Sequence, residues 1–138
     1  MHAYGEPGPD DAEIGRQWRE NSSLERWFPL TAERLAALAP GDDPKKVFLA
    51  NSGAEAVEAA LKLARKHSRD RHGAGRFHVV CMKDSFHGRT LATLSATGQE
   101  KVHKGFEPLV GGFTFVPFNS PEAVEKAITD RTCAVLVE

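Results

Sequence analysis

The sequence predicts an α/β fold with a mostly parallel sheet flanked by helices. Three observations carry that expectation. Short, continuously apolar runs recur at "VFLA" (47–50), "FHVVCM" (77–82), "FTFV" (113–116) and "CAVLV" (133–137); helical patterns stand between them; and Gly, Pro and Asp clusters punctuate the joins. Strands that are apolar at successive positions are those buried on both faces, and intervening helices supply the two covers.

Residues 1–28 show no period and remain an unassigned N-terminal segment, although Trp18, Trp27 and Phe28 need cover. "LTAERLAALAP" reads as a short helix with Thr31 as a possible cap, Leu35 and Leu38 inward, and Pro40 as its stop. "GDDPKK" then turns the chain into the first apolar run. Residues 52–69 are helical in pattern. Ser52, with Glu55 three residues later, makes a capping box, and Val57, Ala60, Leu61 and Ala64 recur at i, i+3, i+4 and i+7 on one face. Lys62, Arg65, Lys66 and Arg69 take the opposite face, with Glu58 spaced to pair with Lys62. After the run 77–82, "KDSFHGRTLATLSATGQEK" (83–101) reads as a loop, and "PEAVEKAIT" makes a second helix before the last run. No internal repeat and no linker divides the chain.

A chain of 138 residues, 41% hydrophobic and 27% charged, can bury a core. Its net charge of -1 and pI near 6.6 provide no basic field for nucleic acid. The basic stretch 62–76 mostly follows an outer helix face, is interrupted by Asp70 and interleaves no aromatic, which argues against a nucleic-acid arm. The opening "MHAYGEPGPDD" lacks the basic start and apolar run of a secretion signal, and no segment reaches a membrane-spanning length, so a cytoplasmic protein with no membrane partner is expected. Cys81 and Cys133 lie in strand runs and read as buried thiols rather than a disulfide. His67, His72 and His78 lack the accompanying spacing of a metal site.

Two stretches point to chemistry. Gly53 and Ala54 leave the first-turn amides of a long helix uncovered where its dipole is positive, a geometry that accepts phosphate; equally, Gly53 could do no more than ease a tight turn. Glu55 would oppose an anion there unless its carboxylate turns back onto the cap. In the second stretch Phe86, His87 and Arg89 sit together just after a strand, where packing does not demand them. Singly, each has a bland reading as core packing, a bonded loop residue or a surface charge. Ligands of open α/β sheets bind beyond the carboxyl ends of the strands. By that rule an anion cradle, a flat ring with a guanidinium, and the carboxylate of Glu138 converge on one edge, a set that suits a phosphorylated planar heteroaromatic ligand.

The motifs "NSGAEAVEAALKLAR", "SFHGRTLATLSATGQEK", "GFEPLVGGF", "VPFN" and "AVLVE" resemble the class III, pyridoxal-phosphate-dependent aminotransferases, and "FHGRTLATLSATGQEK…GFEPL" is similar in particular to the acetylornithine aminotransferases. The resemblance spans about residues 30–138 and implies the large domain of fold type I, here partial over 29–138. It implies that Gly53 and Ala54 hold the phosphate of pyridoxal 5'-phosphate through their amides, that Phe86 stacks on its pyridine ring, and that Arg89 contacts the substrate. Glu138 matches the glutamate opening the family's next motif, near the substrate side of the cofactor. The Schiff-base lysine and the aspartate at the ring nitrogen belong to positions beyond residue 138, so no catalytic residue lies in this chain, which is expected to be a fragment inactive by itself.

The resemblance further implies transfer of the amino group of N-acetylornithine to 2-oxoglutarate, in arginine biosynthesis, by a homodimer. Other class III activities, on 4-aminobutyrate, ornithine or succinylornithine, fit the helix motif equally well. A remnant without catalysis is the reading from a different class.

Overall fold

The structure, a computed structural model, describes residues 24–41 and 43–138. The unassigned segment therefore lies outside the described residues up to position 23. The chain divides after Leu49 into two units.

In the first unit, helix α1 (Leu24–Leu38) passes through Pro29 and ends at Leu38, two residues ahead of Pro40. Thr31 thus lies inside a helix that begins a full turn and more before it, rather than capping it. Pro29 is the sixth residue of this helix, where its missing N–H forgoes one bond to the carbonyl four residues back. Leu35 and Leu38 do not point inward; Leu38 is 81% exposed. Residues 44–50 are irregular, and the expected strand 47–50 does not form. A run of four apolar residues becomes a strand only beside a partner edge, and Phe48 is 72% exposed.

The second unit is a three-stranded, all-parallel sheet in the order β2-β1-β3, formed by β1 (His78–Met82), β2 (Phe113–Val116) and β3 (Thr132–Leu136). Helix α2 (Gly53–His72) precedes β1, short helices α3 (Leu91–Ala96) and α4 (Glu100–His103) lie between β1 and β2, and α5 (Pro121–Ala127) lies between β2 and β3. The stretch 83–101 is thus not all loop.

Alternation along β1 sends its side chains to two cores. Val79 and Cys81 pack with Leu61 of α2 and Ala96 of α3, while Val80 and Met82 pack with Val116 and, beyond it, Ala123, Val124 and Ala127 of α5. Helices thus cover both faces, which is why the central strand is continuously apolar from Val79 to Met82. On α2 the inward stripe is Val57, Leu61, Ala64 and Ser68, whereas Ala60 faces solvent. Ser68 is tolerated inside because its hydroxyl donates to the Arg76 carbonyl at 2.8 Å. Glu58 does not pair with Lys62; its carboxylate accepts from the Thr90 hydroxyl at 2.5 Å, and the helical ion pair is Lys66 with Asp70. Both cysteines are free thiols. Among the described residues no helix is long and apolar enough to cross a membrane, and no cluster of His, Cys, Asp and Glu assembles as a metal site.

Candidate active site

The start of α2 has the geometry its sequence foreshadows. Ser52 adopts an extended conformation, and its hydroxyl accepts the Glu55 amide at 3.2 Å. The Glu55 carboxylate folds back to accept the Asn51 amide at 2.8 Å, one residue ahead of the expected box partner. Its charge is thereby turned toward the cap and away from the first-turn amides. Those of Gly53 and Ala54 donate to no described residue, and a Cβ on Gly53 would meet nothing within 4 Å. This is a bare, positively polarised helix start with room in front of it.

Four anchors hold the loop that leaves β1 against this helix start. The Phe86 amide donates to the carboxylate of Glu138, at the end of the neighbouring strand β3. The His87 amide donates to Thr97 Oγ1 at 3.0 Å, and that hydroxyl donates onward to the Thr93 carbonyl at 2.9 Å. Gly88 sits where a side chain would collide with Ala54 and Thr93. Thr90 reaches Glu58 of α2. Just upstream, Gly98 presses so closely on the turn after β1 that a Cβ there would lie 2.1 Å from the Met82 carbonyl oxygen, and the Asp84 amide donates to the Gly98 carbonyl at 2.9 Å.

The result is an open cleft of about 450 Å³ lined by Gly53, Ala54, Val57, Phe86, His87, Gly88 and Arg89. The four residues singled out from the sequence, Gly53, Ala54, Phe86 and Arg89, thus share one cavity, although the helix start reaches it from an irregular segment rather than from a strand. Phe86 is 44% exposed, so its ring is not consumed by the core, and the Arg89 guanidinium carbon lies 5.5 Å from the ring centroid. His87 is only 7% exposed, with its Nε2 buried and without a hydrogen-bond partner among the described residues. Burial pushes its imidazole below the usual range, against a smaller opposing pull from the Glu138 charge. A protonated imidazole is disfavoured there, so His87 is a neutral wall of the cleft.

The threonines at 90, 93 and 97, which pin the loop, carry no separate signal in the sequence, because in a stretch that reads as loop a threonine is an ordinary polar residue. Glu138 reaches the edge that the strand-end rule gives it, but its bond to the Phe86 amide depends on β1 and β3 being neighbours.

The aminotransferase class-III family model matches residues 22–138. The chain belongs to that family. This class-III chain is 55% identical over 93 residues to an acetylornithine aminotransferase of Caldanaerobacter subterraneus subsp. tengcongensis, covering 67% of the chain and 24% of the relative. It is 58% identical over 93 residues to one from Myxococcus xanthus, covering 67% and 23%. A Pseudomonas aeruginosa relative described as a succinylornithine transaminase/acetylornithine aminotransferase is 51% identical over 94 residues, covering 68% and 23%. Among solved structures, the ornithine aminotransferase of Toxoplasma gondii ME49 superposes with a TM-score of 0.67 at 28% identity, covering 77% of this chain and 25% of that one. A second structure of the Toxoplasma enzyme, with a TM-score of 0.68 at 28% identity over the same shares, has PLP at partial occupancy in its active site. The class-III chain spans about a quarter of the length of the curated relatives it matches.

Proposed function

We propose that residues 29–138 are part of the cofactor-binding large domain of an aminotransferase that moves the amino group of N-acetylornithine to 2-oxoglutarate. The observation that carries this reading is the joint placement of the free Gly53 and Ala54 amides and the half-exposed Phe86 ring on one cleft. That pair fits pyridoxal 5'-phosphate. The helix start offers amide donors and open space to a phosphate, and the ring offers a face to a flat heterocycle. When bound, this cofactor supplies an electron sink that lets an amino group leave one carbon skeleton and join another.

The residues of this chain then have distinct tasks. Gly53 and Ala54 hold the phosphate, Phe86 fixes the ring plane, and Arg89 presents a planar fork of donors suited to a substrate carboxylate. Neutral His87 closes the wall behind the ring and excludes water there. The group that exchanges protons with the substrate is a lysine outside these residues, so the 138-residue chain alone binds but does not turn over. The identity to acetylornithine aminotransferases supports N-acetylornithine as the donor; arginine biosynthesis, the cytoplasm and a homodimer are the setting we propose for the whole protein. The Pseudomonas relative supports a second donor, succinylornithine, whose carboxylates Arg89 would hold in the same way.

Binding is the direct test. Equilibrium dialysis is expected to show pyridoxal 5'-phosphate held by the chain and displaced by inorganic phosphate, and Phe86→Leu should weaken the former about tenfold without changing the latter. Equal loss for both ligands, or none, overturns the assignment of the ring. Incubation with N-acetylornithine, cofactor and 2-oxoglutarate should yield no glutamate; glutamate formation would refute the inactivity of the isolated chain.

A further inference from the structure

Phe86 and Glu138 are joined across 52 positions of sequence by a hydrogen bond from the Phe86 amide to the Glu138 carboxylate. Parallel pairing explains how they meet. Cys81 of β1 lies opposite Leu136 of β3, so the two strands end side by side, and the residue two beyond Leu136 reaches the turn that carries Phe86. The loop's other anchors behave differently. Those at His87, Gly88 and Thr90 come from the helices α2 and α3 or the residue that follows them, and they hold the loop as a whole. The Glu138 bond alone grips the main chain of the residue whose ring lines the cleft, and it does so with a charged acceptor, which makes shorter and stronger bonds than a neutral one.

We propose that Glu138 is a positioning residue, whose carboxylate fixes the Phe86 ring over the helix start at Gly53 and Ala54 and so sets the cleft's affinity for a flat ring while leaving its affinity for phosphate alone. The proposal rests on the cofactor reading above for the identity of that flat ring, and on geometry for the anchor itself. Its second support is the orphaned His87 next door. Glu138 is the charge that this buried imidazole senses, so the same carboxylate conditions two adjacent walls of the cleft. Glu138→Gln keeps an oxygen that can accept the Phe86 amide, whereas Glu138→Ala removes the acceptor altogether.

The full chain and these two variants are compared by equilibrium dialysis with pyridoxal 5'-phosphate and with inorganic phosphate, and by amide hydrogen exchange and imidazole titration in NMR. Glu138→Ala should raise the dissociation constant for pyridoxal 5'-phosphate about tenfold and leave that for phosphate within about twofold. It should also speed exchange of the Phe86 amide about tenfold or more, with Val80 of β1 unchanged. Glu138→Gln should restore most of the affinity and the protection, yet lower the titration midpoint of His87 as Glu138→Ala does. Faster exchange at Phe86 with unaltered cofactor affinity reduces Glu138 to a structural tie and overturns the proposal; so does equal weakening of both ligands, which marks general loosening. A wild-type chain that binds phosphate but no pyridoxal 5'-phosphate refutes the cofactor reading, and the anchor then stands or falls on the Phe86 amide alone.

Discussion

A Cβ on Gly88 would lie 2.8 Å from the Cβ of Ala54, closer than real carbon contacts allow, so the loop and the helix start touch at the one residue that has no side chain. Gly88 also holds a φ of +129°, which other residues rarely adopt. Gly88→Ala is therefore expected to cost at least about 2 kcal/mol, from overpacking against Ala54 and Thr93 together with backbone strain. Urea unfolding measures the loss. A variant as stable as the wild type would mean that the loop does not rest on the helix.

How much of this was legible in the sequence depends on whether the signal is local. Ser52 and Glu55 announce the α2 start because a cap is a contract between residues three apart, whereas the apolar pattern, which fades at residue 69, misses the last turn to His72, closed by Gly73 at a φ of +78°. The alternating faces of β1 were legible as continuous hydrophobicity. "VFLA" misled because an apolar tetrapeptide carries no record of whether an edge awaits it. Phe86 and Arg89 stand out as unneeded by packing, but the bonds that fix their loop, from Thr90 to Glu58, His87 to Thr97 and Phe86 to Glu138, join residues 10 to 52 positions apart and follow from no local pattern.

Gly53→Ala tests why a weak helix former opens a strong helix. The added methyl meets nothing within 4 Å, so stability should be unchanged or should rise by up to about 1 kcal/mol from better helix propensity. Phosphate affinity should nevertheless fall, because that open space is where an anion must approach the amides. Calorimetry of phosphate binding checks the second half. Unaltered affinity would leave Gly53 with only the role of easing the turn.

Cys81 predicts an alkaline weakness. Burial pushes its thiol from the ordinary 9.0 up to about 12, and Cys133 is raised in the same direction by its own burial. Above pH 9 the unfolded chain releases a proton that folded Cys81 retains. Stability is thus complete below 9 and declines as pH rises toward 12, with a slope of up to about 1.4 kcal/mol per pH unit from this thiol. Urea midpoints for the wild type and Cys81→Ala between pH 8 and 10.5 should converge as the pH rises. Parallel curves would show that the thiol ionises freely in the folded chain.

His87 predicts an acid weakness, with the opposite sign. Its folded pKa is lowered from 6.5, first by burial, with the Glu138 charge pushing partly back. Below 6.5 the unfolded imidazole takes a proton that the folded one refuses, since its buried Nε2 would become a charged donor without an acceptor. Its contribution is therefore whole above 6.5 and fades as the pH falls through the folded value. Wild type and His87→Gln share every other titrating group, so the difference between their unfolding free energies isolates this one. That difference should shrink from pH 7.5 to pH 5, and the NMR titration of His87 should show a midpoint below 6.5. A constant difference, or a midpoint above 6.5, would place the ring in water or in a tight pair with Glu138 and remove the neutral wall from the cleft.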